Sequence, residues 1–325
     1  MFELIRPDTH YDFIGKWKYC VAGSIAIILL GLAAIPVIGI RWGIDFVGGT
    51  EVQVHFAEGV VTDEARIRDA VQSVGVGEPS VVRYGEADSS PGFLIRFQSG
   101  AEDQGAEQNQ IVDRIQQALV QQVGALSVDR VEYVGPKVGA ELRRAGVKSM
   151  LIAFALILVY VGLRFSAQFA PGGVIALIHD VLVTSSIWLL CGQQFDLQVL
   201  AALLALIGYS INDTIVIFDR IREVMGIHTA QDLPAVINQA VNQTLSRTIL
   251  TSGATLLAVI ALVLVGGEVI FPFAATMAIG IVVGSYSTVY IASPIMLLLT
   301  DRKKAGESKV PAKAKKNGKP AKARA

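Results

Sequence analysis

Apolar residues fall in six long blocks along this chain, with one extended stretch of alternating and mixed pattern between the first two. Windows of about 19 residues, close to what a helix needs to cross the hydrocarbon of a bilayer, mark candidate spans at 19–40, 147–163, 172–191, 197–218, 249–267 and 271–299. The second is the shortest, and Lys148 near its start must snorkel to the interface. The first is longer than the apolar core of a cleaved signal, about 7 to 15 residues, and reads as a retained anchor. Between spans one and two the period changes. Glu51 to Phe56 alternate as a strand, Thr62 to Val74 have helical spacing, Ser80 to Tyr84 and Phe93 to Phe97 are strands, Glu107 to Val123 is a second helix and Ser127 to Val134 a last strand. Thr62, followed by Asp63 and Glu64, is the expected N-cap of the first helix. The β-α-β-β-α-β order predicts a ferredoxin-like α+β domain set into an α-helical membrane protein of six transmembrane helices.

Composition agrees with a membrane class: 52% of residues are hydrophobic, 17% are charged and the mean hydropathy is +0.52. A net charge of zero argues against a nucleic-acid partner. Cys20 and Cys191 belong to different apolar blocks that a bilayer would hold apart, so no disulfide is expected between them. Lys and Arg are unevenly placed. The links 193–198 and 266–272 have none, whereas Arg6, Lys16 and Lys18 precede span one, Arg164 follows span two, and Arg220, Arg222 and Arg247 lie between spans four and five. The positive-inside rule then puts both termini in the cytoplasm and the inserted domain outside. The expected organisation is a cytoplasmic segment 1–18, a first span 19–40, an extracytoplasmic domain 41–146 and a helical bundle 147–300. A tail 301–325, with ten Lys or Arg against Asp301 and Glu307, reads as a disordered, solvated extension.

Against this background a few polar residues stand out. In "GYSINDTIVIFDR" (208–220), Asp213 lies 16 residues into span four, about 24 Å deep at 1.5 Å per residue. A carboxylate at such depth costs a few kcal/mol or more and faces a partner, a cavity or a proton path. Arg247 stands at the mouth of span five and can share its depth, so an ion pair is geometrically reasonable. A reversible proton switch, a static salt bridge or a helix-packing contact with Asn212 would each account for the stretch. Asp219 and Arg220 fall near the interface and read as solvated. His179 and Asp180 in span three could relay protons, although consecutive helical residues diverge by about 100° and are not expected to pair; interhelical hydrogen bonding is the other reading. Asp45, Gly48 and Gly49 sit where the chain leaves the membrane, with glycines suited to a tight turn. Gly280 and Gly284 form a small-residue face for close helix packing, with a partner's helices as the natural neighbour. The four histidines have no metal-ligand spacing, and no nucleotide-binding fingerprint or catalytic constellation is present, so neither a cofactor nor an enzyme activity is expected.

Several longer motifs carry a resemblance. One large loop between the first two of six spans resembles half of the twelve-span resistance-nodulation-division transporters, whose halves pack about a pseudo-twofold axis. "GIDFVGGT" (43–50), "VGPKVGAEL" (134–142), "ALIHD" (176–180), "YSINDTIVIFDRIRE" (209–223) and "NQTLSRTILTS" (242–252) are together similar to the SecF family, the smaller subunits of the SecD–SecF accessory complex of bacterial protein export. One departure is Ser166-Ala167-Gln168 after Arg164-Phe165, where the family commonly has charged and aromatic residues, which puts a role for charge in that turn in doubt. The resemblance implies a multi-pass protein of the bacterial inner membrane that uses the proton motive force to drive polypeptide translocation. It implies a SecD-like partner, the SecYEG translocon, an unfolded polypeptide and membrane lipid as contacts, with proton movement at Asp213 and Arg247. A passive scaffold of the translocon, or half of a small-molecule or lipid exporter, are the alternatives. A carboxylate with an arginine and few oxygen ligands favours protons over sodium.

Overall fold

The computed structural model describes residues 9–77, 79–84, 92–97, 105–164, 170–227 and 232–308. Its membrane part has six helical spans, Ile14–Ile38, Pro136–Arg164, Ala170–Leu190, Leu197–Ile227, Leu233–Val265 and Val269–Thr300. The first holds helix α1 (Trp17–Ile38), and a short α2 (Ile44–Val47) follows it before the inserted domain.

That domain contains strands β1 (Gly49–Phe56), β2 (Ser80–Tyr84), β3 (Gly92–Phe97) and β4 (Leu126–Val134), with helices α3 (Glu64–Gln72) and α4 (Gly105–Gln122). The sheet order is β2-β3-β1-β4, every pair antiparallel, which is the ferredoxin-like arrangement expected from the element order. Alternation places Val52, Val54, Phe56, Phe93, Ile95 and Phe97 on one face, where they close over Ile67 and Val71 of α3 and Ile115 and Leu119 of α4. The cap of α3 lies one residue later than expected: Asp63, not Thr62, accepts the Arg66 amide at 2.9 Å. A carboxylate there both accepts that bond and complements the positive end of the helix dipole.

The remaining helices are α5 (Pro136–Arg164), α6 (Ala170–Leu190), α7 (Leu197–Ile227), α8 (Leu233–Val265), α9 (Gly267–Ser287) and α10 (Ser293–Ser308), with a π-helical turn at Thr288–Ala292 between the last two. Helix α5 begins well before the apolar block: its first turns carry Lys137, Glu141, Arg143 and Arg144 and pack at Gly139 against Phe46 and Gly48. Helices α6 and α7 bury about half of their most apolar windows, α1 and α5 about a tenth, so α6, α7 and α9 form the centre and α1, α5 and α8 carry the outward-facing leucines and valines. The glycines of α9 serve this chain's own packing instead of the expected partner: a Cβ on Gly280 would lie 2.7 Å from the Leu206 side chain, and one on Gly284 3.1 Å from Ser210. Helix α10 continues through Ser308, so the tail opens as helix where a disordered segment was expected from Asp301; its Lys, Arg and Ala are good helix formers extending an existing helix. The rest of the tail, 309–325, and the turn 165–169 lie outside the described residues.

The N-terminal turn is tied to α8. Asn238 Oδ1 accepts from the amides of Phe13 and Ile14, and Asn242 Oδ1 from that of Tyr11, all at 3.0 Å. An asparagine from another helix thus supplies the cap that Phe13 cannot give the start of the first span.

Both connections of the sheet domain pass through one place. Gly48 has φ +85° and Gly49 φ +147°, and a Cβ on Gly48 would fall 2.7 Å from the Pro136 backbone at the start of α5. Glycine is required there by conformation and by space. Replacing Gly48 with Ala should cost about 1–3 kcal/mol and lower the midpoint of thermal unfolding in detergent, followed by tryptophan fluorescence. Gly77→Ala, where nothing lies within 4 Å of the added Cβ, should leave the midpoint unchanged.

Candidate functional site

Helix α7 presents Asp213 inward because Ile211, Thr214, Ile217 and Phe218 face the core with it. Only 5% of Asp213 is exposed. Its Oδ2 accepts a hydrogen bond from Ser252 Oγ of α8 at 3.0 Å, and Ser285 Oγ of α9 donates to Ser252 Oγ at 2.9 Å. Three helices therefore meet at one buried carboxyl through two hydroxyls. The ion pair expected with Arg247 is not formed: Arg247 is exposed on α8, five residues before Ser252. A guanidinium that far along the helix acts on Asp213 only through space. Asn212 is exposed and points away from this network, as the 100° step between neighbours on a helix requires. Ser252 and Ser285 were missed by sequence reasoning, since a serine in an apolar helix gives no signal until its neighbour across the interface is known.

A second buried carboxyl lies in α6. Asp180, 1% exposed, accepts a 2.5 Å bond from Ser210 Oγ of α7, and its Oδ1 is 3.0 Å from Nδ1 of His179. The two neighbours do pair, contrary to the expectation from helical spacing, because both side chains are buried and the flexible imidazole bends back to the nearest acceptor. The solvated pair expected of Asp219 and Arg220 is resolved differently: Asp219 meets Arg222 at 2.9 Å and Arg164 at 3.6 Å, and Arg220 meets Glu223 at 2.6 Å and Gln243 at 2.8 Å. These side chains are partly or well exposed, where such pairs are worth little.

The sheet domain joins the bundle at the opposite end of α7. Asp45 Oδ2 accepts the Leu197 amide at 3.0 Å, and Asp196 Oδ1 accepts that of Val199 at 2.8 Å, so two carboxylates hold one helix N-terminus. Burial pushes the Asp196 carboxyl above its ordinary range, with the nearby charge of Asp45 a smaller contribution in the same direction. Main-chain bonds from Gly43 to Phe195 (2.7 Å) and Phe195 to Arg41 (2.8 Å) bind α2's lead-in to the α6–α7 link. From the sheet itself, Arg96 on β3 pairs with Glu51, its register partner on β1, and reaches across the boundary to the side chain of Gln194. The Glu51–Arg96 pair follows from strand pairing; the contact to Gln194, nearly a hundred residues on, is set only by how the domain sits.

Among the described residues no three His, Cys, Asp or Glu side chains gather as a metal site.

Two family models match the chain: one described as protein export membrane protein SecD/SecF, C-terminal, over residues 115–302, and the SecD/SecF GG motif over residues 33–60, which includes Asp45, Gly48 and Gly49. A protein translocase subunit SecF from Magnetococcus marinus is 43% identical over 91% of this chain and 94% of the relative. One from Calditerrivibrio nitroreducens is 40% identical over 93% of this chain and 98% of the relative. Among solved structures, SecDF from Thermus, a translocon-associated membrane protein, matches with TM-score 0.80 at 31% identity, and a super-membrane-facing form of SecDF with TM-score 0.68 at 32%. This chain covers 91% of its own length in the first match but only 39% of that SecDF chain. The helical bundle, the inserted sheet and the sequence likeness along nearly the whole length together make this chain a member of the SecF family.

Proposed function

We propose that this chain is the SecF-type half of a protein-export complex of the bacterial inner membrane, working beside a SecD-type half and using the proton gradient to assist polypeptide translocation. The observation that carries this reading is Asp213: a carboxyl in the centre of the bundle, held by a hydroxyl and, among the described residues, by no cation within ion-pair distance. Burial disfavours the charged form of an acid, and an adjacent cation favours it. Arg247, five residues from Ser252 on α8, is the cation available to approach or withdraw, and it stays protonated throughout. The five residues between them span about 7.5 Å of helix, a gap that displacement of α8 and the long Arg247 side chain together would close, exchanging the Ser252 contact for the Arg247 one and coupling proton uptake and release to helix movement.

Such movement has a route outward. Helix α7 runs from Asp213 to Leu197, where Asp45 caps it and the α6–α7 link is bound to the lead-in of the sheet domain. The ends of α6, α7 and α9 that lack Lys and Arg, together with the sheet domain, face the periplasm in this reading, and both termini lie in the cytoplasm. In that setting the sheet domain would act on the emerging polypeptide at SecYEG. The SecD half has a suitable seat on α7: Ala201, Ala205, Gly208 and Asn212 form an exposed stripe of small and polar residues, as suits helix association in lipid. The matched SecDF chain is more than twice as long as this chain's share of it, leaving room for such a half. Asn212 is then an interhelical contact to the partner, one step round the helix from the acid.

Reconstituted with a SecD-type partner and the translocon, Asp213→Asn should abolish the gradient-dependent part of translocation and of proton flux while the complex still assembles. Unchanged flux and translocation would leave only a passive scaffold. Arg96→Ala should separate the two readouts: proton flux stays within about twofold of the parent, while translocation falls severalfold because the sheet domain has lost its side-chain tie to Gln194. Equal loss of both would show that Arg96 serves the ion path or the fold instead.

A further inference from the structure

The mechanism above leaves one buried titratable pair unused. His179 and Asp180 are 9% and 1% exposed, and among the described residues Asp180 has no Lys or Arg within ion-pair distance, its partners there being the imidazole at 3.0 Å and the Ser210 hydroxyl at 2.5 Å. The imidazole is as incomplete as the acid is enclosed: Nδ1 faces Asp180, and Nε2 is buried without a hydrogen-bond partner among the described residues. The ring of Tyr286 packs beside the imidazole, its centroid 6.3 Å from that of His179. The Tyr286 hydroxyl donates to the carbonyl of Cys20 at 2.5 Å and lies 3.2 Å from Ser24 Oγ, so the polar line continues to α1, four residues from its start.

We infer that His179 and Asp180 form a second proton-exchange site, separate from Asp213, whose outlet runs past Tyr286 toward the start of α1. The inference rests on the reading of Asp213 as the coupling acid. The site differs in its partners: Asp213 is bonded to α8 and through Ser252 to α9, whereas Asp180 is bonded to α7 and through His179 faces the aromatic side of α9. The two touch the same region of α9, at Gly284 and Ser285, so a change in one is felt by the helix that serves the other.

The proton chemistry balances within the pair. With Asp180 protonated and His179 neutral, the proton passes from Oδ1 to Nδ1, leaving a carboxylate and an imidazolium with no change in net charge. The imidazolium then releases its Nε2 proton, leaving Nδ1–H against the carboxylate and the site one unit negative; uptake of the next proton by Asp180 and a flip of the imidazole ring, which turns the bare nitrogen back to Oδ1, restore the starting state. The Ser210 hydroxyl supports the carboxylate during that interval. Of the titratable groups on the elements packed against α6, Tyr286 on α9, Tyr290 on the π turn and Cys20 on α1 form one linked group beside His179, and Asp213 on α7 is the neighbouring buried acid; Lys18 and Tyr19 on α1 and Tyr209, Asp219, Arg220, Arg222 and Glu223 on α7 are the others on those two helices. The π-helical turn beginning at Thr288, two residues beyond Tyr286, is the type of local irregularity that lets a helix shift its register by one residue.

The test uses the full chain in complex with its SecD-type partner in vesicles, with an internal pH-sensitive dye for proton flux and a translocation assay alongside, and Asp213→Asn as reference. Asp180→Asn keeps the size of the side chain and its ability to accept from Ser210, so a purely structural acid would leave flux within about twofold. The expected result is a loss of tenfold or more in flux and in gradient-dependent translocation, with assembly intact. His179→Gln should shift the pH midpoint of flux, and Tyr286→Phe should slow it severalfold without moving that midpoint. If Asp180→Asn does not assemble, the His179→Gln midpoint decides the matter. Parental flux and pH profile in Asp180→Asn and His179→Gln, with flux lost in Asp213→Asn, would overturn the second site and leave the first standing. Unchanged flux in all of them, Asp213→Asn included, would remove both.

Discussion

The close approach of α7 and α9 is the contact on which the rest of the bundle depends. It is possible only because Gly280 and Gly284 offer no side chain to Leu206 and Ser210. In lipid no water drives helices together, so packing and hydrogen bonds between them must do so, and hydroxyls come into range only when backbones are close. The approach of α9 sets Ser285 against Ser252 and sets Gly284 against the Asp180–Ser210 pair. A larger residue at either glycine would move apart the groups that satisfy both buried acids.

From this centre the polar groups of the membrane region fall into a plan. Those near the basic end are paired at the surface, as with Asp219, Arg164 and Arg222, and do not require a functional explanation. Those in the middle are enclosed and bonded by hydroxyls or an imidazole rather than by fixed cations. An acid bonded in this way leaves no unpaired buried cation behind when it is neutral. At the opposite end two carboxylates hold the start of α7, and one arginine of the sheet reaches the link beside it. A single helix thereby connects the enclosed acid with the joint of the inserted domain.

That joint has two parts of different character. The connector around Gly43, Phe195 and Asp45 is bound by main-chain hydrogen bonds and a helix cap, which are hard to exchange. The sheet is bound by the Arg96 side chain to a neutral amide, which is not. Gly48, Gly49 and Pro136 bring both chain connections through one narrow place.

The sequence by itself determined the six spans, the ferredoxin-like order of strands and helices, the family, and Asp213 as the residue out of place in an apolar run. Those features rest on periodicity, length and the cost of a charge in lipid, all of which are local or compositional. Only the tertiary structure decided what Asp213 and Asp180 touch. Arg247 lies exposed with Ser252 in its place, His179 turns back onto Asp180, and Arg96 finds Gln194 across the domain boundary. Each of these depends on the rotation and depth of one helix against another, which differ by a few ångströms between arrangements with the same apolar pattern. Serines and glycines, alike in any hydropathy profile, become distinct only when the helices that carry them are laid side by side.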